Sequence, residues 1–309
     1  MIFLTDVYVT RMHGCWNKYG VVEDLNGELE QELDGVGGYS ELARAACDTA
    51  FYGLCSDKHD LDGILVVQYG NTTGYRMRIF NPDGSEAEMC GNGIRIFARY
   101  LYDNGMLYEL KFPVEVHDGK RKVVPEINLN NEGEFESATV DMKKGKLLGK
   151  HPISIDGHVF RGCSVSIGNP HYVIFTDKAS EQMARKYGPR IEKHPDFQNR
   201  TNVEFAKVIF DDSDSWIDLY VWERGAGFTQ ACGTGACATA FAAYKEGMIK
   251  SKTRVALPGG TLDISITKSD SIKMTGPADY LPDDKSIIHD VRNYVDEYKQ
   301  IPEKIRNGM

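Results

Sequence analysis

The sequence has no apolar run near the ~20 residues that a membrane-crossing helix needs; its runs are short, such as Ile64-Leu65-Val66-Val67. A span built from a single helix is therefore excluded. It has no stripe of Lys and Arg either. Acidic residues outnumber basic ones 45 to 36, giving a formal net charge of -9, so a phosphate-backbone partner drops out of consideration. The opening Met1-Ile2-Phe3-Leu4-Thr5-Asp6 lacks a basic segment before its short apolar stretch and soon meets an acid, which reads as no signal peptide and a cytoplasmic location. Low-complexity tracts and collagen-like repeats are missing, and 41% hydrophobic residues across 309 positions suffice for two cores without disulfide staples. In a reducing compartment the odd number of cysteines, seven, is a matter of packing or reactivity.

An internal repeat is present. Cys90-Gly91-Asn92-Gly93 runs through Ala98 and Tyr102 to Gly105-Met106, and Cys232-Gly233-Thr234-Gly235 runs through Ala240 and Tyr244 to Gly247-Met248, at a constant offset of 142. Seven of 17 positions are identical, where composition alone gives roughly one. The same offset lays Met77-Arg78-Ile79-Phe80 over Leu219-Tyr220-Val221-Trp222 and sets Asn81 opposite Glu223. A weaker match at offset 152 sets Asn17 and Val21-Val22 against Asn169 and Val173-Ile174. The chain reads as two halves of similar fold, 1–136 and 137–277, with an extension over 278–309.

Short alternating or apolar runs predict strands at Val7–Val9, Ile64–Gln68, Arg76–Phe80, Ser164–Ile167, Val173–Phe175, Val203–Phe210, Ile217–Trp222, Arg254–Leu257 and Thr261–Thr267. Helical spacing predicts Glu41–Tyr52, Asn92–Asn104 and Thr234–Glu246, the last two stopped by Gly105 and Gly247. Residues 119–136 are polar and read as a boundary. In the tail, Ile287, Ile288, Val291, Tyr294, Val295 and Tyr298 fit an amphipathic helix that packs on the body or on another subunit.

A cysteine just before a helix sits where unpaired amides and the macrodipole favour negative charge, so its thiolate becomes accessible near neutral pH. Cys90 and Cys232 both meet that condition. The glycines that follow let backbone N–H groups approach a ligand, and such helix starts suit a carboxylate. Two thiols of this kind point to proton transfer at a tetrahedral carbon, one removing a proton and the other supplying one from the opposite face. A lone cysteine is ordinarily a small buried hydrophobe, and Cys15, Cys47, Cys55, Cys163 and Cys237 are read that way. Zinc finds no Cys-x2-Cys pair, and the glycine turns lack the phosphate-loop and dinucleotide patterns. A cysteine hydrolase using His171 stays as an alternative, with a structural or surface histidine as the plainer account. A Cys90–Cys232 disulfide would silence a two-thiol mechanism.

The run Asn81-Pro82-Asp83-Gly84-Ser85-Glu86-Ala87-Glu88-Met89-Cys90-Gly91-Asn92-Gly93-Ile94-Arg95 resembles the first signature of the diaminopimelate epimerase family. Glu223-Arg224-Gly225-Ala226-Gly227 with Ala231-Cys232-Gly233-Thr234-Gly235 resembles the second. Met12-His13-Gly14, Asn17, Gly168-Asn169-Pro170-His171 and Thr201-Asn202-Val203-Glu204-Phe205 match further blocks in order, so the likeness covers about residues 5–277. It implies an α+β fold of two pseudo-symmetric halves, each a strand-rich, barrel-like sheet around a central helix, with substrate between them. It also implies an isomerase that needs no cofactor or metal, acts on a small amino-acid substrate and forms a homodimer. By position, Cys90 and Cys232 become the acid/base pair. Gly91, Asn92, Gly233 and Thr234 become the backbone sites for the reacting carboxylate, while Asn17, Asn81, Asn169, Asn202, Glu223 and Arg224 match positions that hold the amino groups and the distal carboxylate.

The chain departs from the family pattern at Trp16-Asn17-Lys18-Tyr19, in the short loop His59–Gly63, at Lys143-Lys144 and in its long tail. Asn81, Asn202 and Arg224 favour diaminopimelate, interconverted between its LL and meso forms for lysine and peptidoglycan precursors. Trp16 and Lys18 favour the alternative, a racemase for another amino acid such as histidine. A binding protein or non-racemase isomerase of the same fold is the reading from a different class.

Overall fold

The computed structural model describes residues 6–48, 61–117, 119–211 and 214–301. By contacts it forms two units, one made of the residues to Glu136 together with those from Ala278 onward, the other of Ser137–Pro277. Up to the boundary the elements are β1 (Val7–Gly14), β2 (Asn17–Glu23), α1 (Glu28–Glu32), α2 (Gly38–Cys47), β3 (Ile64–Tyr69), β4 (Tyr75–Phe80), β5 (Glu86–Ala87), α3 (Gly91–Asp103), β6 (Val114–Val116), β7 (Arg121–Val123) and β8 (Glu126–Leu129). From there follow β9 (Phe135–Lys144), β10 (Lys146–Ile155), β11 (His158–Ser166), β12 (Pro170–Phe175), α4 (Glu181–Glu192), β13 (Asn202–Asp211), β14 (Asp214–Glu223), β15 (Gly227–Thr229), α5 (Gly233–Lys245), β16 (Lys252–Leu257), β17 (Gly260–Ile266) and β18 (Ser271–Gly276). The chain then returns to the first unit with β19 (Asp279–Ile288) and α6 (Val291–Gln300).

The repeat reappears in the sheet order. The first unit runs β19-β1-β2-β3-β4-β6-β7, with β5 on β4; the second runs β10-β11-β12-β13-β14-β16-β17-β18-β9, with β15 on β14. The parallel pairs fall at matching places: β2 with β3 and β4 with β6 in one unit, β12 with β13 and β14 with β16 in the other. Parallel neighbours need a crossover, and α3 and α5 supply it between β4 and β6 and between β14 and β16. Among the described residues, neither ladder closes into a barrel.

The middle strands of each sheet are covered on both faces, which explains runs that are apolar without alternation, while β16, β17 and β18 alternate buried with exposed positions. In β3, Leu65 points at the start of α3, where it lies with Ile79 against Gly93, while Ile64 and Val66 join the core under Leu29, Leu33 and Leu42. In the second unit α4 lays Ala184, Tyr187 and Ile191 on Tyr172, Val203 and Phe205. The central helices end alike. Gly105 and Gly247 have φ of 66° and 71°, their N–H groups reach Tyr102 and Tyr244, and the N–H groups of Met106 and Met248 reach Leu101 and Ala243. That double closure needs a left-handed residue, hence glycine.

Three expectations change. Helix α2 starts at Gly38 and ends at Cys47, and positions 49–52 of the expected helix lie outside the described residues. In the tail, Ile287 and Ile288 belong to β19, paired with Tyr8 and Val7, and the helix begins only after Asp290 caps it. Its Val291 and Val295 complete the core beside α1 and α2, so the apolar spacing serves packing within the chain. The polar stretch 119–136 carries β7 and β8, short strands that apolar periodicity does not reveal.

Candidate active site

In each unit the cysteine caps its central helix. Cys90 and Cys232 have extended backbones, and their sulfurs accept the N–H groups of Gly93 at 3.4 Å and Gly235 at 3.3 Å. A side chain at Gly235 would place its Cβ 3.2 Å from both Cys232 Sγ and Glu204 Oε1, so glycine here permits the close approach of sulfur, carboxyl and helix start.

Around Cys90, the thiol lies 3.7 Å from Asn17 Oδ1, and the Tyr19 hydroxyl donates to its sulfur at 3.5 Å. Asn92 Nδ2 donates to the same Asn17 oxygen at 3.1 Å. Asn17 Nδ2 and the Lys18 N–H both bind Asp62 Oδ2 at 2.8 Å. Beneath them Arg95, fully buried, donates to Asn92 Oδ1 at 3.0 Å and contacts the Cys15 sulfur at 3.7 Å. The β1–β2 hairpin turns at Cys15 and Trp16, both with positive φ, and the Trp16 ring stacks on His13 at 4.8 Å. Among the described residues, no hydrogen bond ties Asn81 to this cluster. Its carbonyl closes the turn to Gly84 and its amide donates to Ser85 Oγ at 2.9 Å, the turn-forming role open to any asparagine there.

Around Cys232, Thr234 Oγ1 lies 3.6 Å from the sulfur and accepts from Asn169 Nδ2 at 3.3 Å. Asn169 Oδ1 lies 2.9 Å from His171 Nε2, and His171 Nδ1 lies 2.6 Å from Glu204 Oε1. With the Asn169 amide turned so that its NH2 group meets Thr234, its oxygen requires a hydrogen on His171 Nε2, and Nδ1 and Glu204 share one further proton. Both side chains are fully buried. Burial pushes the Glu204 carboxyl above its usual range; His171 opposes this and Glu223 reinforces it. Among the described residues, Glu204 Oε2 has no hydrogen-bond partner. Burial, followed by the charges of Glu223 and Glu204, also pushes the Cys232 thiol well above its ordinary value, against the hydrogen bonds from Thr234 and Gly235.

Asn202 ties the end of this site together: its Nδ2 donates to Pro170 O at 2.9 Å and its Oδ1 accepts the Arg224 N–H at 2.8 Å. Thr229 Oγ1 donates to Glu223 Oε1 at 2.5 Å. The exposed Arg224 and the half-buried Asn169 border an open depression of ≈ 780 Å³ together with Arg200, which pairs with buried Glu192.

The structure thus gathers Asn17, Asn92 and Cys90 in the first unit and Asn169, Thr234, Cys232, Asn202, Glu223 and Arg224 in the second. Cys15, Cys163 and Cys237 are buried, as their packing role requires, and Cys55 lies outside the described residues, as do His59 and Asp60 of the short loop. His171 is neither exposed nor idle; it links Asn169 to Glu204. Tyr19, Asp62, Arg95 and Glu204 escaped the sequence reading. The signal was there for one of them, since Tyr19 follows Asn17 as His171 follows Asn169, at the same 152 offset.

The sequence matches the family described as diaminopimelate epimerase over residues 9–147 and 163–281. A diaminopimelate epimerase from Desulfitobacterium hafniense is 38% identical over 287 residues, which is 88% of this chain and 95% of that protein. Among solved structures, a phenazine biosynthesis protein of the PhzF family from Bacillus anthracis superposes with a TM-score of 0.67 at 15% identity, covering 92% of this chain and 99% of that one. A hydroxyproline epimerase from Agrobacterium vitis gives 0.63 at 14% identity, with 94% of each chain covered. At such identities the two structures share the fold alone.

Proposed function

Because the chain belongs to the diaminopimelate epimerase family, we propose that it interconverts LL- and meso-diaminopimelate with no cofactor, one of Cys90 and Cys232 removing the α-proton and the other supplying a proton of its own to the opposite face. The observation that carries this is the pair of thiols, each capping the equivalent helix of its own repeat and each accepting a glycine N–H. One sulfur enters as thiolate and takes the α-proton; the electron pair of the broken C–H bond stays on carbon. The other enters as thiol and gives its proton to the opposite face of that carbon, leaving as thiolate. The free enzyme returns when the two sulfurs exchange protonation states with solvent.

The difficult part is the weak acidity of the α-hydrogen. The first N–H groups of α3 and α5, at Gly91-Asn92 and Gly233-Thr234, bind the α-carboxylate and stabilise charge delocalised onto it in the transition state. The remote end is a second ammonium and carboxylate. The Arg224 guanidinium suits the carboxylate, and Glu223 with the carbonyl oxygens of Asn17, Asn169 and Asn202 suits the ammonium, joined by Asn81 on the strength of its place in the family motif alone. A raised Cys232 thiol fits the role of the protonated partner in the resting enzyme. We place the reaction in the cytoplasm, in a homodimer, upstream of lysine and peptidoglycan precursors.

The test is incubation in deuterated water with LL-diaminopimelate and with a panel of single L-amino acids, following α-exchange and inversion. Inversion of diaminopimelate alone is the expected result. Exchange into another amino acid with none into diaminopimelate overturns the substrate assignment and favours the racemase that Trp16 and Lys18 raise. Cys90→Ala and Cys232→Ala each lower inversion by at least about 10³-fold if the thiols act as the acid/base pair.

A further inference from the structure

The two repeats surround their cysteines with matching positions but unlike chemistry. Asn17 corresponds to Asn169, and each meets the residue two places beyond the capping cysteine, Asn92 in one unit and Thr234 in the other. Tyr19 then corresponds to His171. By the parallel registers, Val21 facing Leu65 and Val173 facing Glu204, Leu65 corresponds to Glu204. Where the second unit has a buried carboxyl, an imidazole and a neighbouring Glu223, the first has an aliphatic side chain and a phenol. That phenol is buried, with 5% of its surface exposed, and its oxygen lies 3.5 Å from Cys90 Sγ.

We infer that Tyr19 is a positioning and charge-stabilising residue for Cys90, its hydroxyl donating to the sulfur when that sulfur is the thiolate. The inference rests on the two-thiol reading above and deepens it. A thiolate held by Gly93 N–H and Tyr19 O–H keeps two donors, and a hydrogen bond to the charged form favours that form. During turnover Tyr19 retains its own proton. Cys90 takes the α-proton, Cys232 gives up its own, and the negative charge passes from the first sulfur to the second. The Cys90 thiol so formed can turn its hydrogen to Asn17 Oδ1, 3.7 Å away.

The other ionisable groups near Cys90 come from α3, β2 and the segments flanking β1 and β3. Arg95 lies on α3 and is bound to Asn92 and Cys15; Cys15 lies in the turn after β1; Lys18 on β2 lays its ammonium over the Trp16 ring; and Asp62, just before β3, accepts from the Asn17 amide and the Lys18 backbone N–H. All stay in place when only the Tyr19 oxygen is removed, so Tyr19→Phe isolates the hydroxyl.

The experiment measures iodoacetamide alkylation of Cys90 and Cys232 across pH in the substrate-free protein, resolved by peptide mass spectrometry. In Tyr19→Phe the midpoint for Cys90 moves up by about one pH unit and that for Cys232 stays. In a second protein carrying 3-fluorotyrosine at position 19, a stronger donor on the same ring, the Cys90 midpoint moves down. Turnover of Tyr19→Phe falls about tenfold in kcat, with KM within roughly twofold of the parent. An unchanged Cys90 midpoint in both proteins, or equal shifts at both cysteines, overturns the assignment. Because alkylation needs no substrate, that outcome is separate from a failure to invert diaminopimelate.

Discussion

At the scale of single residues, the two sulfurs share a helix-capping geometry and differ in what stands behind it. Burial and the charges of Glu223 and Glu204 hold Cys232 in its protonated form, and the Glu223 carboxylate, which accepts from Thr229, acts on the sulfur through its charge. A carboxylate that raises a thiol's pKa lowers its thiolate fraction at any given pH. Glu223→Gln removes that charge and keeps an acceptor for Thr229, so the Cys232 midpoint falls and its alkylation near neutral pH speeds up by about threefold or more. Slower or unchanged alkylation in the folded variant contradicts the electrostatic account. The capping cysteines themselves were legible because a repeat doubles a signal that one cysteine lacks. Glu204 was not, because a carboxyl in an apolar strand looks from sequence like any outward-facing charge. Its direction is fixed by the pairing of β12 with β13, a contact between segments about thirty residues apart.

At the scale of elements, the strands and helices that sequence patterns identified are those with both faces buried or with a marked stop, such as β3, β13, α3 and α5. Missed elements are short or polar for a reason visible in their contacts. Helix α4 carries Pro189 and one apolar face, and β19 holds charged residues that periodicity does not count as a strand. Glu115 on β6 shows how such polar pieces are held. Its side chain is fully buried, where burial alone would raise its carboxyl. Donors from Thr72 Oγ1 and the N–H groups of Thr72, Asn71 and Thr73 outweigh that and pull it down to about 2. With the folded value depressed below the unfolded 4.5, the stabilisation is full above that pH and is lost as pH falls toward about 2. Glu115→Gln, which cannot accept all four bonds, lowers Tm by roughly 5 °C at neutral pH. The gap between parent and variant closes as the buffer is taken down through the carboxylate range. A gap that persists unchanged at low pH contradicts the ionised clamp.

At the scale of the molecule, one sheet order occurs twice, and the catalytic proposal depends on that duplication. The halves were legible from a shared cysteine block and the lengths between apolar runs. The tail's return to the first unit was not, because nothing in residues 278–309 names the strand β1 that they join. The proposed mechanism takes one proton-transfer group from each half, and its central claim is that they act on the same carbon from opposite faces. It is tested most directly by early-turnover reaction of LL-diaminopimelate in deuterated water, with the α-position of both product and unreacted substrate read by mass spectrometry. Two bases predict product that carries deuterium at the inverted carbon while the remaining substrate keeps its protium. Transfer of the substrate's own hydrogen into the product, or deuterium entering recovered LL substrate ahead of inversion, would show a single base serving both faces and contradict the account.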